Sequence, residues 1–215
     1  MSIVLPPPQQ VEQKVILHGV SWETYERLLA DFADSHAAHF AYDQGMLEIM
    51  VLSFRHETLN RTLAMLVETL AEELDIDLIN AGSTTFKRVD LARGFEPDTG
   101  FYGQRADHIR GKDEIDLTVD PPPDLVIEID ITSPSLDKLP IYAAVGVPEV
   151  WLYQGQELTI FVLQGGAYAV HDESLALPGV TQAVLARFLD EGRQLKRSAW
   201  LRNVRDWVRR RGADE

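Results

Sequence analysis

The stretch Pro123-Asp124-Leu-Val-Ile-Glu128-Ile-Asp130-Ile131 constrains the fold of this chain more than any other. From Leu125 to Ile131 it is apolar except at Glu128 and Asp130, which fits a central strand covered on both faces. Residues two apart on a strand share a face, so Asp124, Glu128 and Asp130 line one side and Leu125, Ile127 and Ile129 the other. A carboxylate inside so apolar a strand is costly unless a cation or good hydrogen bonds meet it. Asp124 and Glu128 are four residues apart, about 13 Å at roughly 3.3 Å per residue, and cannot share one ion. Glu128 therefore needs a partner from a neighbouring strand. Asp98, at the start of a strand pattern after Glu96-Pro97, is the best candidate. The competing readings are a structural salt bridge for Glu128 and a turn aspartate at position 98.

The rest of the chain supplies elements to surround that strand. Ser21 is a plausible helix cap, with Thr24 where a capping box has Glu, and Trp22, Tyr25, Leu28, Leu29 and Phe32 follow at helical spacing. Phe40 to Tyr42 and Met46 to Leu52 flank Asp43-Gln44-Gly45 as a hairpin. The spacing predicts a long helix over Arg55 to Leu74, with Leu59, Leu63, Leu66, Val67, Leu70 and Leu74 in one stripe. His56 extends that stripe by one turn, whereas Glu57 falls toward solvent.

Short strands are expected at Leu78 to Ala81, Thr84 to Val89 and Asp98 to Tyr102. Pro140 suits the first turn of a helix over Ile141 to Val145, stopped by Gly146. Val150 to Tyr153, Leu158 to Leu163 and Tyr168 to His171 read as a meander, and Thr181 to Leu189 and Ala199 to Arg211 as helices. This order predicts an α/β or α+β class, a mixed central sheet flanked by helices. One domain over residues 1–215 is expected, with a loose lead over residues 1–10 and a basic helix over 199–211.

Composition excludes some chemistry. With no cysteine, disulfides, thiolate catalysis and Cys-ligated zinc are all ruled out. No apolar run approaches the roughly 20 residues needed to span a bilayer, and no basic-then-apolar leader opens the chain, so a cytoplasmic protein is expected. The net charge of −14 argues against a broad nucleic-acid footprint. Yet Arg187 to Arg211 holds nine Lys/Arg against three Asp/Glu, either a solvated helix face or a phosphate-contacting arm.

The linked motifs resemble a known family. Glu96-Pro97-Asp98, Pro123-Asp124 through Glu128 to Ser133-Pro134-Ser135, Lys138-Leu-Pro-Ile-Tyr142 and Gly146-Val-Pro-Glu149-Val-Trp151 together resemble the Uma family, restriction-endonuclease-like proteins of the PD-(D/E)XK superfamily. The resemblance implies a restriction-endonuclease-like fold and a Mg²⁺- or Mn²⁺-dependent endonuclease that hydrolyses DNA. It implies Asp98 and Glu128 as the two acidic metal ligands, with the backbone carbonyl of Ile129 as a third. The superfamily lysine, two residues after the second acid, is replaced here by Asp130, and Lys138 is the match. Beside a phosphate, Lys138 could help activate water or stabilise developing negative charge. His56 matches a histidine at the start of the long helix, as ligand, acid/base group or core residue, with Glu57 the alternative. Tyr142 and the tryptophans Trp151, Trp200 and Trp207 read chiefly as core.

Two other classes stay open: a non-catalytic module on a nuclease scaffold, and a nuclease acting on RNA or small phosphoesters. A homodimer is expected from the general frequency of twofold assemblies.

Overall fold

The computed structural model describes residues 13–33, 38–131 and 136–211. The N-terminal lead over residues 1–10 and the Ser133-Pro134-Ser135 motif lie outside them. In the described residues the strands are β1 (Gln13–His18), β2 (His39–Asp43), β3 (Met46–Val51), β4 (Ile79–Gly82), β5 (Phe86–Arg88), β6 (Arg93–Phe95), β7 (Thr99–Tyr102), β8 (Leu125–Asp130), β9 (Glu149–Gln154), β10 (Glu157–Gln164) and β11 (Ala167–His171). The helices are α1 (Trp22–Asp31), α2 (Phe54–Glu73), α3 (Ala106–Ile109), α4 (Leu139–Val145), α5 (Gln182–Gln194) and α6 (Arg197–Arg211).

The anticipated mixed sheet has the order β11-β10-β9-β8-β7-β4, with β8 parallel to β9 and its other pairings antiparallel. All six residues of β8 are buried. Leu125, Ile127 and Ile129 face one cluster, where Leu59, Leu63, Leu66, Val67 and Leu70 of α2 meet α5 and α6. Fully burying each such side chain contributes about 1.5–3 kcal/mol, which is why the stripe on α2 fixes its orientation. Ser53 caps α2 by accepting the His56 N–H at 3.2 Å, so the cap sets the turn that carries His56.

A second sheet, in the order β1-β3-β2-β6-β5, covers the other face together with α4. Ala41, Phe86 and Phe95 from it pack with Val126, Val150 and Tyr142. The sequence pattern did not announce this layer. The hairpin between β2 and β3 was legible, and its turn narrows to Gln44 and Gly45, both at positive φ (47° and 101°). The strands β1 and β6 and the short α3 were not read from the sequence, and α5 runs further than Leu189.

Gly94 on β6 pairs with Tyr42 and lies beneath the buried ring of Tyr25, which stacks on Tyr42 at 4.9 Å between centroids. A Cβ at position 94 would stand 2.8 Å from Tyr25 Cε1. Gly94→Ala is therefore expected to lower stability by about 1–3 kcal/mol through overpacking, read as a fall in the denaturant midpoint at unchanged slope.

Candidate active site

The ladder between β7 and β8 pairs Thr99 with Ile127. One step further sets Asp98 across from Glu128, and directly opposed residues have Cβ atoms about 4.5–5.5 Å apart. Two carboxylates from distant parts of the chain thus come within electrostatic reach of each other and of Lys138. The Asp98 backbone is held there by Asn60 of α2, whose Nδ2 donates to the Asp98 carbonyl at 2.9 Å and whose Oδ1 accepts from Thr99 at 2.8 Å.

The two acids have different surroundings. Asp98 Oδ2 accepts the Ile129 N–H at 2.7 Å and lies 3.2 Å from His56 Nε2. That nitrogen also lies 3.0 Å from the Ile129 carbonyl; a carbonyl only accepts, so Nε2 carries the proton. Asp98 Oδ1 is buried with no hydrogen-bond partner among the described residues. Burial pushes the Asp98 pKa up, but His56, Lys138 and His39 outweigh it and hold the carboxyl below its ordinary value. Asp98 stays ionised.

Glu128 has both oxygens engaged. Lys138, immediately before α4, donates to Oε2 at 2.7 Å, and the Tyr142 hydroxyl one turn later donates to Oε1. Burial raises the Glu128 pKa, with Asp98 adding to the rise and Lys138 and Tyr142 opposing it. Burial pulls the Lys138 pKa down, but Glu128, Asp98 and Glu48 outweigh it and raise it above its ordinary value. An amine ringed by three acids keeps its proton. Tyr142 is fully buried, so it is core residue and site residue at once.

The second sheet adds groups that sequence reasoning missed. Glu48 of β3 is buried, accepts the Leu136 N–H at 2.7 Å and lies 3.9 Å from Lys138 Nζ. Lys14 of β1 donates to Asp130 at 2.8 Å, and Gln154 of β9 donates to its other oxygen at 3.0 Å. The cation is thus absent from position 130 in sequence, while Lys14 brings one to the carboxylate from another strand. A cavity of about 330 Å³ opens beside these groups, its polar lining made by Lys14, Glu128, Asp130, Asp137, Lys138, Tyr142 and Gln154.

Other expected residues fall elsewhere. Glu57 lies partly exposed and pairs with Arg61, while His56 points inward. Glu96 is structural: it accepts from the Phe40 N–H at 2.9 Å and from Thr85 at 2.5 Å. Asp124 caps the turn after β7 by accepting the N–H groups of Gly103 and Arg105, each at 2.9 Å. On the basic helix, Arg205 and Arg209 bind Glu72 and Glu73 of α2, so part of its charge docks α6. Trp151 and Trp200 are buried core.

A family model described as "Putative restriction endonuclease", that of Uma2, matches residues 22–196. The chain belongs to the Uma2 family. Among solved structures, this Uma2 chain is similar to "a putative nuclease belonging to DUF820" from Anabaena variabilis. The two share 13% identity over 79% of this chain and 99% of that one, with a TM-score of 0.55. At that identity the likeness establishes a nuclease fold and no more. No curated protein matches the chain. No helix among the described residues is long and apolar enough to cross a membrane.

Proposed function

We propose that this Uma2 chain is a Mg²⁺- or Mn²⁺-dependent endonuclease that hydrolyses DNA phosphodiester bonds at the Asp98–Glu128 site. One observation carries the reading: an ionised, buried Asp98 keeps one oxygen without a hydrogen bond, across from Glu128 and beside a charged Lys138. Leaving such an acceptor bare is costly, and a hard cation with oxygen ligands would remove that cost. Among the described residues no three His, Asp or Glu side chains are grouped closely enough to cage an ion as they stand, so the acids would have to close on it when it binds. Asp98, Glu128 and the Ile129 carbonyl would hold the ion. Glu128 can ligate while hydrogen-bonded, because each carboxylate oxygen has two lone pairs.

When bound, the ion supplies a Lewis acid and a water of lowered pKa. The chain's own groups do the rest. Lys138 directs its charge toward the negative charge that builds on the attacked phosphate. His56 holds Asp98 and the Ile129 carbonyl in place through one N–H. The cavity beside Lys138 gives the substrate a place to enter. A twofold dimer would bring two sites to the two strands, and sedimentation would show a monomer if that part is wrong.

The test is nicking of supercoiled plasmid DNA by purified protein. Nicked circles should accumulate with Mg²⁺ or Mn²⁺ and not with a chelator. Equal cleavage in both would remove the metal from the reaction.

A second reading, a non-catalytic module on this scaffold, draws on the full engagement of Glu128 by Lys138 and Tyr142 and on the net charge of −14. It requires that millimolar Mn²⁺ fail to bind the wild type.

A further inference from the structure

The second sheet turns one cross-strand row toward the site: Lys14 of β1, Met50 of β3 and His39 of β2 stand in register. Lys14 reaches Asp130, but His39 finds no such partner. Its Nδ1 is buried without a hydrogen bond among the described residues and stands 3.9 Å from Asp98 Oδ1, another buried atom without one. Two bare polar atoms facing each other inside a protein call for an explanation. The gap is too long for a direct hydrogen bond. One ion with bonds near 2.1–2.2 Å could still touch both atoms, at an angle of about 130° that lies between the 90° of adjacent and the 180° of opposite octahedral ligands.

The placement is built into the backbone. Phe40, next to His39, donates its N–H to the Glu96 carboxylate at 2.9 Å and accepts the Glu96 N–H at 3.0 Å, two residues before Asp98. His56 cannot take this role with the nitrogen nearest the acid, because that nitrogen donates to the Ile129 carbonyl.

We infer that His39 is a nitrogen ligand of the ion held by Asp98, and that it makes the centre prefer a first-row transition ion such as Mn²⁺ over Mg²⁺. Imidazole nitrogen suits transition ions, whereas Mg²⁺ prefers an all-oxygen shell. The inference rests on the reading of Asp98 as a metal ligand, and the experiment separates the two.

Full-length protein is titrated calorimetrically with Mn²⁺ alone and with Mg²⁺ alone, for the wild type, His39→Gln and Asp98→Asn. Mn²⁺ should bind the wild type about tenfold or more tightly than Mg²⁺; His39→Gln should lose most of that preference while its Mg²⁺ affinity moves less than about threefold. Asp98→Asn should weaken both ions. Electron spin echo spectra of Mn²⁺ on the wild type should show a directly ligated nitrogen, a readout that stands even if the variant does not fold. An unchanged Mn²⁺ preference in His39→Gln, or no ligated nitrogen in the wild type, overturns the role of His39. If Asp98→Asn still responds in that case, the Asp98 reading stands; if neither variant moves either affinity, both fall.

Discussion

Asp98→Asn and Glu128→Gln, each alone, should slow metal-dependent DNA nicking by about 10²–10³-fold or more, the scale on which a single preorganised electrostatic group acts in catalysis. Both substitutions keep the shape of the side chain and remove its charge. The amide oxygen introduced by Asp98→Asn can still accept the Ile129 N–H, and the one introduced by Glu128→Gln can still accept from Tyr142, so the variants should fold. The cost to stability in Asp98→Asn should be about 1.5–3 kcal/mol, the worth of hydrogen bonds to an ionised acceptor. The double variant should be little worse than either single one, because groups that act on one ion fail together. Additive losses in the double variant would mean that the two acids act in separate places. Single-turnover rates at saturating metal are the measurement, since they separate lost chemistry from lost metal affinity.

Lys138→Met should destabilise the fold by about 3–5 kcal/mol near pH 8, the usual consequence of removing one partner from a buried ion pair. The side chain is about nine-tenths buried, donates to Glu128 at 2.7 Å and also neutralises Asp98 and Glu48 nearby. Without it, Glu128 keeps only Tyr142 as a side-chain donor among the described residues. The pH dependence has a definite sign. The folded pKa of Glu128 already lies above its ordinary value of 4.5, and losing Lys138 moves it further up. A carboxyl raised in the fold favours the folded state when protonated, and that contribution is lost as pH rises from 4.5 through the folded pKa. The deficit of Lys138→Met should therefore be small near the ordinary carboxylate range and grow toward neutrality. Adding Glu128→Gln should recover much of it at about pH 8, which urea denaturation of the four proteins of the cycle would show. A deficit independent of pH would point to lost packing instead of an uncompensated charge.

The part of the site that was legible in the sequence came from one signal, an acid inside an apolar strand. It marked Glu128, and strand alternation gave the face it shares with Asp124 and Asp130. Helical spacing sent His56 inward and Glu57 outward, whereas Tyr142, which read chiefly as core, proved to share Glu128 with Lys138. Glu48 carried the same signal, in Met46-Leu-Glu48-Ile-Met-Val51, and could have been found by it. His39 and Lys14 could not. Lys14 depends on the long-range pairing of β1 with β3, and His39 on the long-range pairing of its hairpin with β6; both stand opposite Met50. The strand β6 has three residues, too few for a period of two to show. Local pattern therefore showed pieces of the sheet that closes the site, the β2–β3 hairpin and β5, but not their assembly over β8. In α6 the arginines that read as a basic face proved partly committed to Glu72 and Glu73 of α2, a pairing that no local spacing encodes.

The central claim is that the carboxylates of Asp98 and Glu128 share one divalent ion, and the anomalous map of a crystal grown with Mn²⁺ tests it most directly. A single peak within about 2.4 Å of an oxygen from each side chain is the predicted result. A map in which no ion touches both, at a Mn²⁺ concentration that supports DNA nicking, would contradict it.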